Sequence, residues 1–291
     1  MNFELSSGDL RAVVRTKGGE LVSLRDGDGL EYIWQGDPAF WSGQNPILFP
    51  IVGSLKEGRV EINGQTCEMD RHGFARRMEF TPTEQGEDFI TLELRENGET
   101  WKHYPFSFSL KVTHRLLEDG FSTTLTVENT GNAHMPFCIG AHTAIRCPLH
   151  PGERFEDYVL RFEAPERADS HLLNKAGLIR HDGWKPMLDE SAIIPLNYGY
   201  FSEMDTIIFS MLHSGTVALV HQDTGRGIQL DFSEFPMVAF WTPPGAPFLC
   251  LEPWQGCAAY DNESGMFADK PFRVTLEPGG EKRLTYAFHI E

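Results

Sequence analysis

Three consecutive stretches of this chain alternate apolar and polar residues with a period of two. Ile90, Leu92 and Leu94 oppose Phe89, Thr91 and Glu93; Phe106, Phe108, Leu110 and Val112 oppose Ser107, Ser109, Lys111 and Thr113. Phe121 to Val127 alternates again and closes on Asn129-Thr130-Gly131-Asn132. Side chains of a strand point to opposite faces in turn, so this period commits each segment to a half-buried β-strand. A helix of similar length needs an apolar stripe every 3.6 residues, and no window supplies one convincingly.

The pattern extends to both ends. Leu10–Val14 and Glu20–Leu24 read as strands parted by Lys17-Gly18-Gly19, and Asp26 to Gly29 is a turn. Arg59 to Cys67 reads as a hairpin, with Asn63-Gly64 supplying the positive φ of a tight turn. Two prolines in Asn45 to Gly53 argue for a loop packed under the core. Tyr158–Phe162, Thr206–Leu212, Thr216–His221, Gly227–Phe232, Met237–Trp241, Phe272–Leu276 and Arg283–Ile290 continue the series. Residues 164–190 between them are polar and irregular, with a weak helical patch. No linker, low-complexity tract or fixed-period repeat interrupts the chain. The expectation is an all-β fold of two large antiparallel sheets packed face to face, as a single domain over residues 1–291.

Charge narrows the partners. With 42 acidic and 25 basic residues the formal charge is -17, a field that repels nucleic acid and anionic membrane and is indifferent to neutral small molecules. The five cysteines are odd in number and widely spaced, a poor disulfide framework. No basic, apolar leader opens the sequence, and no apolar run reaches the roughly 18 residues of a membrane helix. A cytoplasmic protein, monomeric or homodimeric, is expected.

One stretch concentrates the chemistry. In Phe248-Leu249-Cys250-Leu251-Glu252-Pro253-Trp254 six apolar residues surround one carboxylate, and Pro253 and Trp254 are expected to stop the strand. A carboxylate held against apolar neighbours loses water, which raises its pKa and leaves a base able to take protons. Arg71-His72-Gly73-Phe74-Ala75-Arg76 and Ile139-Gly140-Ala141-His142-Thr143-Ala144 each set a histidine beside glycine, where backbone or ligand can approach the imidazole closely. Two imidazoles and a carboxylate suit proton transfer at neutral pH, one group removing a hydroxyl proton while another delivers one elsewhere on the substrate. Cys138, His142 and Cys147 make no convincing metal site, because strand alternation points the two cysteines apart. Neither metal nor cofactor is expected.

His72-Gly73-Phe74-Ala75-Arg76, Gly140-Ala141-His142, Trp241-Thr242-Pro243 and Cys250-Leu251-Glu252-Pro253-Trp254 together resemble the aldose 1-epimerase (mutarotase) superfamily, closest to the bacterial branch typified by LacX proteins. The matching motifs run in the family's order from about residue 45 to 254. The resemblance implies a galactose mutarotase-like β-supersandwich that interconverts the α and β anomers of an aldose without a cofactor. It makes Glu252 the base at the anomeric hydroxyl, His142 the acid at the ring oxygen, and His72 a binding group beside that oxygen. Asp205 matches the family's sugar-binding aspartate. Trp241 and Trp254 offer flat apolar faces that suit the C–H face of a sugar.

Two departures bear on substrate. Where the family carries an arginine, this chain has Ser54, so either Lys56, Arg76 or Arg77 reaches the site or substrate binding is weaker. The second histidine motif reads Ala141-His142-Thr143, where relatives tend to carry Gly-His-Pro. Arg71, Arg76 and Arg77 could receive the phosphate of a hexose 6-phosphate, although neutral sugars are the default. A non-catalytic carbohydrate-binding protein on the same fold is the rival. The enzymatic reading requires Glu252 and His142 to face each other across a cleft of about one sugar ring, with His72 on the His142 side.

Overall fold

The computed structural model describes residues 1–291. Two antiparallel sheets dominate it. The larger runs, edge to edge, Ile179–Pro195, Tyr158–Leu173, Thr216–His221, Gly227–Asp231, Glu281–Ile290, Gly120–Asn129, Phe108–Leu116, Phe89–Arg95 and Thr81–Gln85. The smaller runs Thr206–Ser210, Met237–Trp241, Phe248–Gln255, Ile139–Ala141 and Ile47–Leu48, with Thr143–Arg146 also paired to Phe248–Gln255. Asn2–Ser7, Leu10–Arg15 and Glu20–Arg25 form a separate three-stranded sheet, and the Arg59–Ile62/Gln65–Glu68 hairpin turns at Asn63 and Gly64, both with positive φ.

The alternating stretches behave as their period requires. Ile90, Leu92, Leu110, Val112 and Leu125 point inward and are almost fully buried. The sheets meet through aromatic side chains: Phe162 of the larger lies 6.0 Å from Phe209 and 6.2 Å from Phe240 of the smaller. One contiguous buried core draws on residues from Leu5 to Phe288. No helix is long and apolar enough to cross a membrane, and all five cysteines are free and buried.

Two expectations fail. Residues 164–190 are not irregular. They belong to a long two-stranded arm, Tyr158–Leu173 paired with Ile179–Pro195, whose register shifts four times between Arg161 and Leu173. Each shift breaks the two-residue alternation, which erases the strand signature while keeping the strand. The strand through Glu252 also continues past Pro253 to Gln255. On the side of that strand facing Ile139–Ala141 and Thr143–Arg146, Glu252 and Pro253 have no ladder partners, so the missing proline N–H falls in a gap.

Candidate active site

That gap builds the site. Gly140 pairs with Trp254 and Thr143 with Leu251 in one unshifted register, which sets His142 across from Glu252. On the next strand Ala239 pairs with Glu252 and Trp241 with Cys250. Period two then puts Glu252, Trp254, His142 and Trp241 on one face of the sheet, while Leu249 and Leu251 go to the core. Thr206, opposite Trp241, completes that floor.

Backbone geometry brings the His72 loop over the floor. His72 has φ +68° and Gly73 φ +70°, and a Cβ at residue 73 would lie 2.3 Å from the carbonyl oxygen of Phe49. Only glycine fits there. The Gly53 N–H donates to His72 Nδ1 at 3.1 Å, which makes Nδ1 the acceptor and leaves Nε2–H as the donor. The His72 and His142 rings meet edge to face at 5.5 Å.

His142 Nε2 is 3.2 Å from Glu252 Oε1. Glu252 is 1% exposed and His142 8%. Burial drives both toward their neutral forms: the Glu252 carboxyl is pushed well above its ordinary value, with the Arg71 charge opposing the rise, and His142 falls to about 3. His72 is likewise held well below the usual imidazole range by burial, and next by His142. Glu252 Oε2, His142 Nδ1, Trp254 Nε1 and Arg76 Nε are buried without a partner in the protein. Unpaired polar atoms gathered at one depression are what a polar ligand satisfies.

The depression holds about 120 Å³. Its walls include Trp41, whose ring lies 4.9 Å from His142 and 5.5 Å from Trp241. Arg71 and Arg76 complete the rim. Glu252, His142, His72, Trp241 and Arg76 all line this one depression. Asp205 lies at the border, its carboxylate 3.8 Å from Arg71 Nη2. Three expectations need correction. Lys56 is elsewhere, on an exposed turn lining another depression with Glu57, Arg59 and Glu263. Arg77 pairs with Asp70 at 2.6 Å, away from the cavity. Glu252 and His142 touch instead of flanking a sugar ring, so a ring must lie over the pair.

Trp41 and Thr206 line the depression without having been singled out in the sequence, and Arg71, expected only as part of a phosphate-binding cluster, lines it too. Arg71 carries a signal, since it directly precedes His72 in the motif. Trp41 carries a fainter one in Gly43, where a Cβ would stand 2.3 Å from the indole ring. The atoms of His142, Cys250 and Glu252 lie within 4.8 Å of one another and are the set that could hold a metal ion. Burial pushes the Cys250 thiol and the Glu252 carboxyl well above their ordinary ranges, so a cation there would have to displace a proton from each.

The family model described as Aldose 1-epimerase matches residues 1–289. The plasmid and chromosomal LacX proteins of Lactococcus lactis subsp. lactis are each 38% identical over 298 residues, spanning 100% of this chain and 99% of theirs. A galactose mutarotase related enzyme from Lactobacillus acidophilus superposes with a TM-score of 0.92 at 26% identity, covering 100% of this chain and 97% of its own. A galactose mutarotase-like protein from Lactobacillus casei ATCC 334 gives 0.91 at 28% identity, covering 100% of both chains.

Proposed function

Because the chain belongs to the aldose 1-epimerase family, we propose that it interconverts the α and β anomers of an aldose by opening and reclosing the hemiacetal. The observation that carries this reading is the 3.2 Å contact of Glu252 with His142. In a cyclic aldose the anomeric hydroxyl and the ring oxygen are bonded to the same carbon. An acid and a base serving those two oxygens must stand side by side. The one proton of the pair passes from Glu252 to His142 Nε2 across the 3.2 Å contact. The carboxylate so freed takes the anomeric proton, the imidazolium delivers its proton to the ring oxygen, and the C1–O5 bond breaks. Rotation about C1–C2 presents the other face of the aldehyde, and the same groups reverse their roles. Nε2–H of His72 points charge stabilisation at the ring oxygen, and Trp41 and Trp241 pack the C–H face. Only protons move, so the reaction requires no redox or group-carrying cofactor.

A second reading concerns the sugar. Arg71 and Arg76 both line the depression, and two guanidinium groups at one rim favour an anionic substrate such as a hexose 6-phosphate. Polarimetry on freshly dissolved α-D-glucose, α-D-galactose and hexose 6-phosphates, in weak buffer, tests both readings. The enzyme should shorten the approach to equilibrium. Binding without acceleration across all of them makes the protein a carbohydrate-binding module instead.

A further inference from the structure

The catalytic depression does not end at Arg71. The same guanidinium forms part of the wall of a second depression of about 390 Å³. The partition between the two is a short polar chain. Thr206 lines the first depression and Asp205 the second. The Thr206 hydroxyl donates to Asp205 Oδ2 at 3.0 Å, and the same oxygen lies 3.8 Å from Arg71 Nη2. Asp205 holds this place with φ +65°, a backbone state that a non-glycine residue adopts only at an energetic cost.

The far wall is the tip of the long arm, Asn174–Gly177, facing the short helix Tyr198–Met204. That tip is anchored: the Ile179 N–H donates to the Ala259 carbonyl at 3.0 Å, and the Asp261 N–H to the Ile179 carbonyl at 2.9 Å. Asn174 Oδ1 accepts from the Ala176 and Leu178 N–H groups, which closes the turn. The tip also rests on Ser54, whose Oγ lies 3.1 Å from where a Cβ on Gly177 would sit. An arginine at position 54 would need the space that the tip fills. The serine departure and the second depression are thus one structural fact.

Charge and shape select the occupant. The cations Arg71 and Lys175 are balanced by Glu203 and Asp205. A phosphate there would meet two carboxylates, and a metal ion would meet a guanidinium and an ammonium. Apolar surface from the half-buried Leu173 lies beside hydrogen-bonding groups from Asn174 and Ser202. Such a mixture matches a sugar ring, with its C–H faces and hydroxyl rim. We propose that this depression is a glycosyl subsite. The substrate is then a reducing disaccharide or longer oligosaccharide, its terminal aldose over Glu252 and His142 and its next sugar unit beyond Arg71. This rests on the epimerase reading above. The glycosidic bond stays intact; only the terminal hemiacetal opens and recloses.

Maltose, cellobiose and lactose share glucose as their reducing-end unit, so α-D-glucose is the control for all three. Polarimetric kcat/KM should be at least tenfold higher for one of these disaccharides than for glucose. Ser202→Trp, which fills the depression, should bring that ratio back toward one. Lys175→Ala, at the exposed tip, should lower the ratio in a protein whose fold is not at stake. Glucose turned over as well as every disaccharide, or a Ser202→Trp effect equal on both, would overturn the subsite. If no sugar is accelerated, the epimerase reading fails separately and calorimetry decides the subsite. Disaccharide binding tighter than glucose binding, lost in Ser202→Trp, upholds it; equal or absent binding overturns it.

Discussion

Glu252 Oε1 and His142 Nε2 stand 3.2 Å apart on facing strands of one sheet, in a contact nearly closed to solvent. Neither residue pair nor distance depends on a flexible loop, because both side chains issue from an unshifted antiparallel register. Burial raises one pKa and lowers the other, so over a wide range the pair holds a single proton. A hemiacetal needs one proton taken and one given, and such a pair can do both in either direction.

Replacing Glu252 by glutamine keeps size and hydrogen bonding but removes the proton acceptor. Ground-state contacts persist while the transition state loses its base, so kcat should fall by about 10²–10⁴-fold. Sugar binding measured by calorimetry should change little. A Glu252→Gln protein that still mutarotates at the wild-type rate removes Glu252 from the chemistry.

The pH profile follows from the reversed order of the two groups. A carboxyl and an imidazole in water lose protons near about 4 and 6.5, so a glutamate–imidazolium pair would exist only between those values. Here a second proton loads onto His142 only near about 3, and the single proton leaves only above the raised Glu252 value. kcat/KM should therefore run flat through pH 6.5 as the solution is acidified. A limb centred near 6.5 would mean that the two groups titrate separately.

Arginine replacements should separate by position. Arg76 lines the depression with Nε buried and unpartnered, whereas Arg77 is held by Asp70. A charged hydrogen bond contributes about 1.5–3 kcal/mol, so Arg76→Met should weaken binding of a bound anionic sugar by about tenfold to a hundredfold. Arg77→Ala should leave it unchanged. Equal losses in competition assays with hexose 6-phosphates would place the anion outside the depression.

Legibility in the sequence tracked locality. The strands at Phe89–Arg95 and Gly120–Asn129 were readable because each declares its own alternation. Glu252 and His142 were readable as residue types beside proline and glycine, but their contact was not, since it depends on the register of distant strands. The arm at Tyr158–Pro195 hid behind its own bulges. Lys56 was a misreading of reach: three residues after Gly53 the chain has already turned outward, leaving its side chain exposed. Arg71 lines the depression instead, from a loop whose course is set by two consecutive positive φ angles.

Buried histidine outside the site makes the fold acid-sensitive. His114 is fully buried; its Nε2–H donates to the Gly19 carbonyl at 2.8 Å, and its Nδ1 accepts from Thr123 at 2.9 Å. Burial lowers it from 6.5 to about 4. Below pH 6.5 the unfolded chain binds a proton that the native state refuses until about 4, so stability is lost as pH falls through that window. The slope is about 1.4 kcal/mol per pH unit for this one group, or roughly 3 kcal/mol across it. His114→Gln should lower stability at pH 7 but shrink the difference between urea midpoints at pH 7 and pH 5. Parallel losses in both proteins would contradict the assignment.

The last expectation concerns the family's arginine. If Ser54 were simply a missing substrate contact, Ser54→Arg would restore affinity. The structure argues otherwise. Ser54 carries the arm tip through Gly177, and its carbonyl accepts from the Ala259 N–H at 2.9 Å. Gly177 has φ +73° and cannot yield by an ordinary rotation without strain. A guanidinium at position 54 must displace the turn, an overpacking that costs about 1–3 kcal/mol. Arg71 already supplies a guanidinium to the depression, so nothing is gained in return. Thermal melting should therefore show Ser54→Arg to be less stable than wild type. Its kcat/KM on glucose should not rise, and any preference for a disaccharide should vanish as the tip lifts away from Asp205. A more active Ser54→Arg with an unchanged melting temperature would mean that the arm tip moves freely, and that the second depression is not built to hold a ligand.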